Sequence, residues 1–278
     1  MTHRPLILIT GATDGIGRET ALQLARRGAD VVVHGRDPAR VAAVVAAVAQ
    51  VAGRPAPEPV LADLASFADI RRAAASFLAR GITLDVLLHN AGVFAKARQL
   101  TPDGHELTFA VNHLAPFLLT SLLLPSLQQA RAGRVVVVSS IAHTRGVVDF
   151  DDLDAARGFD GYTAYASSKL MNVLFANELA QRMAASTATR RIFANSLHPG
   201  VVATKLLKTG FGMSRGQDDH AEGAATSVHL ALSPDVEGIS GRYFVRCAEA
   251  TPAPRARDVE DARRLWEVSA RLTGVEAT

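Results

Sequence analysis

Tyr165 and Lys169 stand four residues apart in Tyr165-Ala166-Ser167-Ser168-Lys169, within a stretch of helical period. A helix would put both side chains on one face, with Cα atoms about 6 Å apart. A phenol ionises near pH 10 and must lose or share its proton to act as a base near neutrality. Moving that pKa by roughly 3 units takes about 4 kcal/mol of preferential stabilisation of the phenolate. A neighbouring ammonium and a positively charged ring on a bound ligand would favour the ionised form together. The same spacing also occurs as plain decoration of surface helices, so the pair acquires meaning only from what surrounds it.

A second chemical feature lies near the N-terminus, where Leu6 to Thr10 leads into Thr10-Gly11-Ala12-Thr13-Asp14-Gly15-Ile16-Gly17 and then into a helical pattern. Glycines allow a tight turn and close backbone approach, and the start of a helix offers unpaired N–H groups to a pyrophosphate. A strand-to-helix junction is the context in which such a turn binds a dinucleotide. An acid about 20 residues further on would hydrogen-bond a ribose 2′-hydroxyl, but Gly35 and Arg36 stand there instead. A guanidinium grips a 2′-phosphate through paired, charge-assisted hydrogen bonds where a carboxylate would repel it, so the expected cofactor is NADP(H) rather than NAD(H).

The elements that must position these residues are legible as short β-branched runs alternating with longer Ala- and Leu-rich helical stretches. Strands are expected at Leu6–Thr10, Asp30–His34, Pro59–Ala62, Asp85–His89, Arg134–Ser139, Arg191–Leu197 and Arg242–Val245. Helices are expected at Gly15–Arg27, Pro38–Ala52, Ser66–Arg80, Asp103–Ala130, Thr163–Ala185, Asp219–Leu232 and Asp258–Thr273. The pattern predicts an α/β fold made of one doubly wound, Rossmann-type domain over residues 1–278, with a seven-stranded parallel sheet and helices on both faces. Ligands of such sheets bind beyond the carboxyl ends of the strands. Two segments break the alternation, His143 to Tyr162 and Lys205 to Asp218. Long loops in compact domains are often functional. The second, 205–218, is expected to form a substrate lid, and its Leu206, Leu207, Phe211 and Met213 suggest a lipophilic carbonyl or secondary alcohol.

Composition narrows the alternatives. Apolar residues make up 48% of the 278, enough for a large core, and the net charge of +3 is spread among acids rather than gathered into a basic face. No nucleic-acid partner is therefore expected. Cys247 is the lone cysteine and cannot form an intramolecular disulfide. The most apolar segment, Leu114 to Leu127, is interrupted by Pro116 and Pro125 and is shorter than the roughly 20 residues of a membrane span. No signal peptide is visible, so a cytoplasmic location without membrane association is expected. The pairs His105 with His113 and His143 with His198 lack metal-site spacing, and no metal is expected.

Taken together these residues resemble the short-chain dehydrogenase/reductase family. TGATDGIG is followed by Asp63-Leu64, by Asn90-Ala91-Gly92, by Asn112 in FAVNHLAPFLLT, by Ser139-Ser140, by Tyr165 to Lys169, and by Pro199-Gly200 with Thr204. The likeness is strongest to the retinol-dehydrogenase and WW-domain-oxidoreductase branch, although His89 stands where Asn often precedes the Asn-Ala-Gly motif. What the resemblance implies is a carbonyl reductase or alcohol dehydrogenase. In it Tyr165 exchanges a proton with the reacting oxygen and Ser140 hydrogen-bonds that oxygen. Lys169 lowers the tyrosine pKa and holds the nicotinamide ribose, and Asn112 fixes a water leading to Lys169. It further implies that Thr204 bonds the carboxamide, Asp63 and Leu64 flank the adenine, and Asn90, Ala91 and Gly92 line the ribose. The family often forms homodimers or homotetramers through the helices expected here at Asp103–Ala130 and Thr163–Ala185. The rival reading is a non-catalytic NADP(H)-binding regulator on the same scaffold.

Overall fold

A computed structural model of the chain describes residues 4–185, 191–204, 216 and 218–276. The strands are β1 (Leu6–Ile9), β2 (Asp30–Gly35), β3 (Val60–Leu61), β4 (Val86–His89), β5 (Ala132–Val138), β6 (Arg191–His198), β7 (Tyr243–Val245) and β8 (Ala248–Ala250). They form one sheet in the order β3-β2-β1-β4-β5-β6-β7-β8. The first seven pair in parallel, as expected, and β8 adds an antiparallel edge on β7. That eighth strand is absent from the sequence reading because the turn before it is made by Arg246 and Cys247, both at positive φ (50° and 61°). Non-glycine residues rarely hold that conformation, so composition gives no turn signal. Thr226 Oγ1 accepts the Cys247 N–H at 3.1 Å and helps to fix the turn.

Flanking helices are α1 (Gly15–Arg26), α2 (Pro38–Ala52), α3 (Phe67–Leu78), α4 (Leu107–Leu127), α5 (Gly161–Ala185), α6 (His220–Leu232) and α7 (Val259–Thr273). Alternate strand residues feed two cores. Leu8, Val32, Leu87 and Val135 pack with α3, α4, α5 and α7 on one face. Ile7, Val31, Val86 and Val136 pack with α1, α2 and α6 on the other. Strands covered on both sides must be apolar throughout, as these are.

Two expectations are corrected here. The fourth helix begins at Leu107 rather than Asp103, because Glu106 caps it by accepting the N–H groups of Thr108 and Phe109 at 2.9 and 2.8 Å. Asp103 is instead engaged outside the helix, accepting the Phe67 N–H at 2.8 Å. Second, α4 runs for 21 residues and is apolar enough by length and composition to cross a membrane, which the shorter stretch 114–127 is not. Within the fold 78% of its most apolar window is buried, which is the environment of a core helix. Pro116 follows directly on a π turn at Ala110–Leu114 and does not break the helix.

The expected dimer helices are also not bare. Helix α7 packs against both α4 and α5. Its Trp266 stacks on Phe175 (5.9 Å between ring centres), meets Phe117 edge-on at 4.8 Å, and lies under the Arg182 guanidinium at 4.7 Å. The predicted lid, with Leu206, Leu207, Phe211 and Met213, lies outside the described residues except for Gly216 and Asp218.

Candidate active site

The glycine turn is shaped by contacts that leave no room for side chains. Gly11 has φ +65°, and a Cβ there would come within 2.8 Å of the Ala91 backbone. A Cβ on Gly17 would come within 2.3 Å of both Asn90 Nδ2 and the Gly11 carbonyl. Asn90 ties the loop after β4 to this turn, donating to the carbonyls of Thr10 and Gly11 at 3.0 and 3.2 Å. The N–H groups of Asn90 and Ala91 both reach Thr10 Oγ1 at 3.1 Å. Asp14 is the N-cap of α1, and Ile16 and Gly17 lie in its first turn.

His34, at the end of β2, braces the same turn, and sequence reasoning treated it only as a strand residue. Its Nδ1 accepts the Gly11 N–H at 3.2 Å and its carbonyl accepts that of Ala12 at 3.0 Å. Burial pushes its pKa down to about 4, so the imidazole is neutral near pH 7 and keeps the lone pair this bond needs.

Beyond β2, Arg36 projects into solvent with its side chain 77% exposed, facing Asp63 across 3.9 Å. Arg40, one turn into α2, lies over the glycine loop, bonding Asp14 at 2.9 Å and the Thr13 carbonyl at 3.4 Å. Sequence reasoning missed Arg40. The available signal was a second guanidinium four residues after Arg36 at a helix start. Leu64 is buried in the core. Thr204 sits beside the loop, its Cγ2 3.4 Å from where a Gly15 Cβ would be. Pro199 and Gly200 follow β6, and Asp218 supports that turn by accepting the Val201 N–H at 2.8 Å.

The remaining predicted residues converge beyond the carboxyl ends of β4 and β5. Helix α5 starts close to the loop after β4, since a Cβ on Gly161 would fall 2.4 Å from the Ala95 carbonyl. Asp160 caps this start by accepting the Thr163 N–H at 2.7 Å. One turn later Tyr165 hydrogen-bonds Ser140, and Lys169 Nζ lies 5.6 Å from the centre of the tyrosine ring. The ammonium donates to the Val138 carbonyl at 3.0 Å, which Asn172 also reaches at 3.2 Å.

Asn112, on the π turn of α4, clamps Val93 by accepting its N–H at 2.7 Å and donating to its carbonyl at 3.0 Å, and it donates to Ser168 Oγ at 3.0 Å. Gly92 lies beside both Asn112 and Lys169. A Cβ on Gly92 would lie 3.4 Å from Lys169 Nζ and 3.5 Å from Asn112 Oδ1. A cavity of about 550 Å³ lies elsewhere, against Asn177, Arg242, Tyr243 and Arg257, and shares no residue with this cluster.

Desolvation governs the cluster's ionisation. Burial raises Tyr165 to about 12, opposed by its hydrogen bond to Ser140. Burial also lowers Lys169 to about 8. The expectation of a phenol acidified by its neighbouring amine thus does not describe the protein alone, because low polarity disfavours both charged forms.

The profile of the short chain dehydrogenase family matches residues 5–213. The chain belongs to that family. It is therefore an oxidoreductase of alcohol and carbonyl groups that works with a nicotinamide cofactor. This dehydrogenase is 39% identical to human retinol dehydrogenase 14, over 99% of its own length and 88% of the relative's. It is 42% identical to mouse polyprenol dehydrogenase, over 96% and 83% respectively. Among solved structures, an uncharacterized Mycobacterium paratuberculosis protein superposes with a TM-score of 0.81 at 32% identity, covering 99% of this chain and 95% of that one. A short chain dehydrogenase from Escherichia coli, complexed with NADPH, gives 0.72 at 28% identity, covering 88% and 97%.

Proposed function

We propose that this dehydrogenase uses NADP(H) to interconvert a lipophilic ketone or aldehyde with its alcohol, with Tyr165 carrying the proton. The observation that carries the reading is the convergence of Ser140, Tyr165 and Lys169 beside Gly92 and Asn112 at the carboxyl edge of the sheet.

The residues fit such a cofactor, because the backbone cradle at Gly11 and Gly17 admits no Cβ and the start of α1 faces it. Gly11, Thr13, Asp14, Gly15, Ile16 and Gly17 would hold the pyrophosphate. Arg36 and Arg40 would take the 2′-phosphate, and Asp63 with the Leu64 backbone the adenine. Asn90, Ala91, Gly92, Tyr165 and Lys169 would line the nicotinamide ribose, with Pro199, Gly200 and Thr204 at the ring. When bound, the cofactor supplies the hydride chemistry.

Tyr165, protonated up to about pH 12, holds the proton that a carbonyl oxygen needs during reduction. Ser140 is placed to hydrogen-bond the same oxygen and thereby to orient the substrate toward the phenol. Asn112 and the ammonium of Lys169 both lie next to Gly92, at the edge of the proposed ribose site.

Lipophilic substrates are favoured by three exposed apolar side chains on the segments flanking Tyr165 and Ser140, namely Ile141 (51%), Val147 (48%) and Tyr162 (38%). Retinol and polyprenol, the alcohols in the names of two relatives, are lipophilic as well. The test is NADPH consumption against lipophilic and small polar carbonyls. Preference for the polar set overturns the substrate class, and no consumption with either set overturns the reading of an NADPH-dependent carbonyl reductase.

A further inference from the structure

One peptide plane in the site is gripped at both ends by imidazoles. The carbonyl of Ser140 lies 2.7 Å from His143 Nδ1, and the N–H of Ile141, in the same peptide unit, lies 3.2 Å from His198 Nδ1. A carbonyl can only accept and an N–H can only donate, so the two rings must carry opposite tautomers, His143 protonated at Nδ1 and His198 bare there. His143 is fixed further because its Nε2 accepts the Ala253 N–H at 3.1 Å, which requires a lone pair on that nitrogen. Both rings are buried, at 2% and 8% exposure, and burial lowers both pKa values, that of His198 to about 4. Neutral rings are the state in which each can play its single role.

The gripped peptide is not an arbitrary one. It joins Ser140, whose hydroxyl bonds Tyr165 and caps the turn Ile141–Arg145 by accepting the Ala142 N–H at 3.2 Å, to Ile141, whose side chain is exposed. That peptide is the first link of the turn whose Ala142 N–H holds the Ser140 hydroxyl, so a change in its orientation carries the turn, and the hydroxyl bonded to it, out of line with the phenol. His143 reaches it from within the turn and is anchored to the C-terminal segment at Ala253, while His198 reaches it from the end of β6.

We infer that His143 and His198 are a pair of positioning residues that lock the Ser140–Ile141 peptide and thereby aim the Ser140 hydroxyl at the reacting oxygen. This rests on the reading of Ser140 and Tyr165 given above. Displacing a reacting group by about 1 Å can cost on the order of a hundredfold in rate.

The test compares His143→Leu, His198→Leu, His143→Asn and His198→Asn with Ser140→Ala, using NADPH and the best carbonyl from the screen. Asn places a donor where His143 Nδ1 stands, or an acceptor where His198 Nδ1 stands. Each Leu variant is expected to lose about tenfold to a hundredfold in kcat with the NADPH Kd within about twofold, and each Asn variant to recover most of that loss. In a Ser140→Ala background the Leu substitutions should cost little more, because both act through one hydroxyl. Unchanged kcat in folded Leu variants overturns the inference, and so does full additivity with Ser140→Ala. If the Leu variants do not fold, Asn variants that lose as much kcat as Ser140→Ala overturn it. An unaffected Ser140→Ala enzyme instead sinks the underlying reading of the site.

Discussion

The Nζ of Lys169 bonds the carbonyl of Val138 at 3.0 Å while lying 5.6 Å from the centre of the Tyr165 ring. Its charge is therefore held by the end of β5 rather than spent on the phenol, and burial sets the ionisation of both groups.

This arrangement makes Lys169 a stability cost. Its pKa falls from 10.5 in the open chain to about 8 when folded, so the native state binds fewer protons than the unfolded chain between those values. Stability should accordingly rise as pH increases from about 8 towards 10, above which the raised pKa of Tyr165 works in the opposite sense. Lys169→Met is expected to be more stable at pH 7 by about 2 kcal/mol, to lose the rise above pH 8, and to lose turnover. Urea unfolding across pH checks all but the last, and a variant less stable at pH 7 would contradict it.

Replacing Tyr165 by Phe should reduce turnover by a factor of about 100 or more while leaving the NADPH Kd within a few-fold. Single-turnover kinetics alongside a fluorescence titration separates the two. Retained turnover would remove the phenol from the chemistry.

Cofactor preference should follow the two guanidiniums on either side of the Asp37 cap of α2, Arg36 and Arg40. Arg36→Ser and Arg40→Ser are each expected to weaken NADPH binding by about tenfold, the scale of one charge-assisted hydrogen bond, and to leave NADH binding nearly unchanged. Equal losses for both nucleotides would place these side chains elsewhere.

Acid should unfold the protein early. His34 and His198 are held to about 4 and His89 and His113 to about 3 by burial, against 6.5 in the open chain. Depressed values of this kind give stability that is present above pH 6.5 and lost as pH falls through the folded values. At pH 5 each such ring should cost about 2 kcal/mol. His89→Asn, which can keep a bond to Thr120 Oγ1 (2.7 Å from His89 Nε2), should flatten the profile between pH 7 and 5 by about that amount. An unaltered acid limb in that variant would place the titration on other groups.

Much of the architecture was readable because it is written in local pattern. Strands buried on both faces must be apolar, and the turns at Gly11 and Gly17 need residues without a Cβ. What escaped were features built from non-local or atypical choices. The hairpin into β8 uses Arg246 and Cys247 at positive φ, Asn112 sits on a π turn that no period announces, and Arg40 gains significance only once α2 folds back over Thr13. His143 and His198 are unremarkable in the sequence, and only the pairing of β5 with β6 brings them to one peptide. Candidate-site residues were legible as residue types, whereas their protonation depends on burial, which a linear motif does not contain.

The sheet ends on one side at the two residues of β3 and on the other at the three of β8. So brief a border offers a passing chain few free backbone groups to copy. The long central strands, which would be the most adhesive part of the molecule, are each shielded by a neighbour. Self-propagation through strand exchange is thereby discouraged by the shortness of the rim, and the exposed carboxylate of Glu249 in the middle of β8 adds a charge to it.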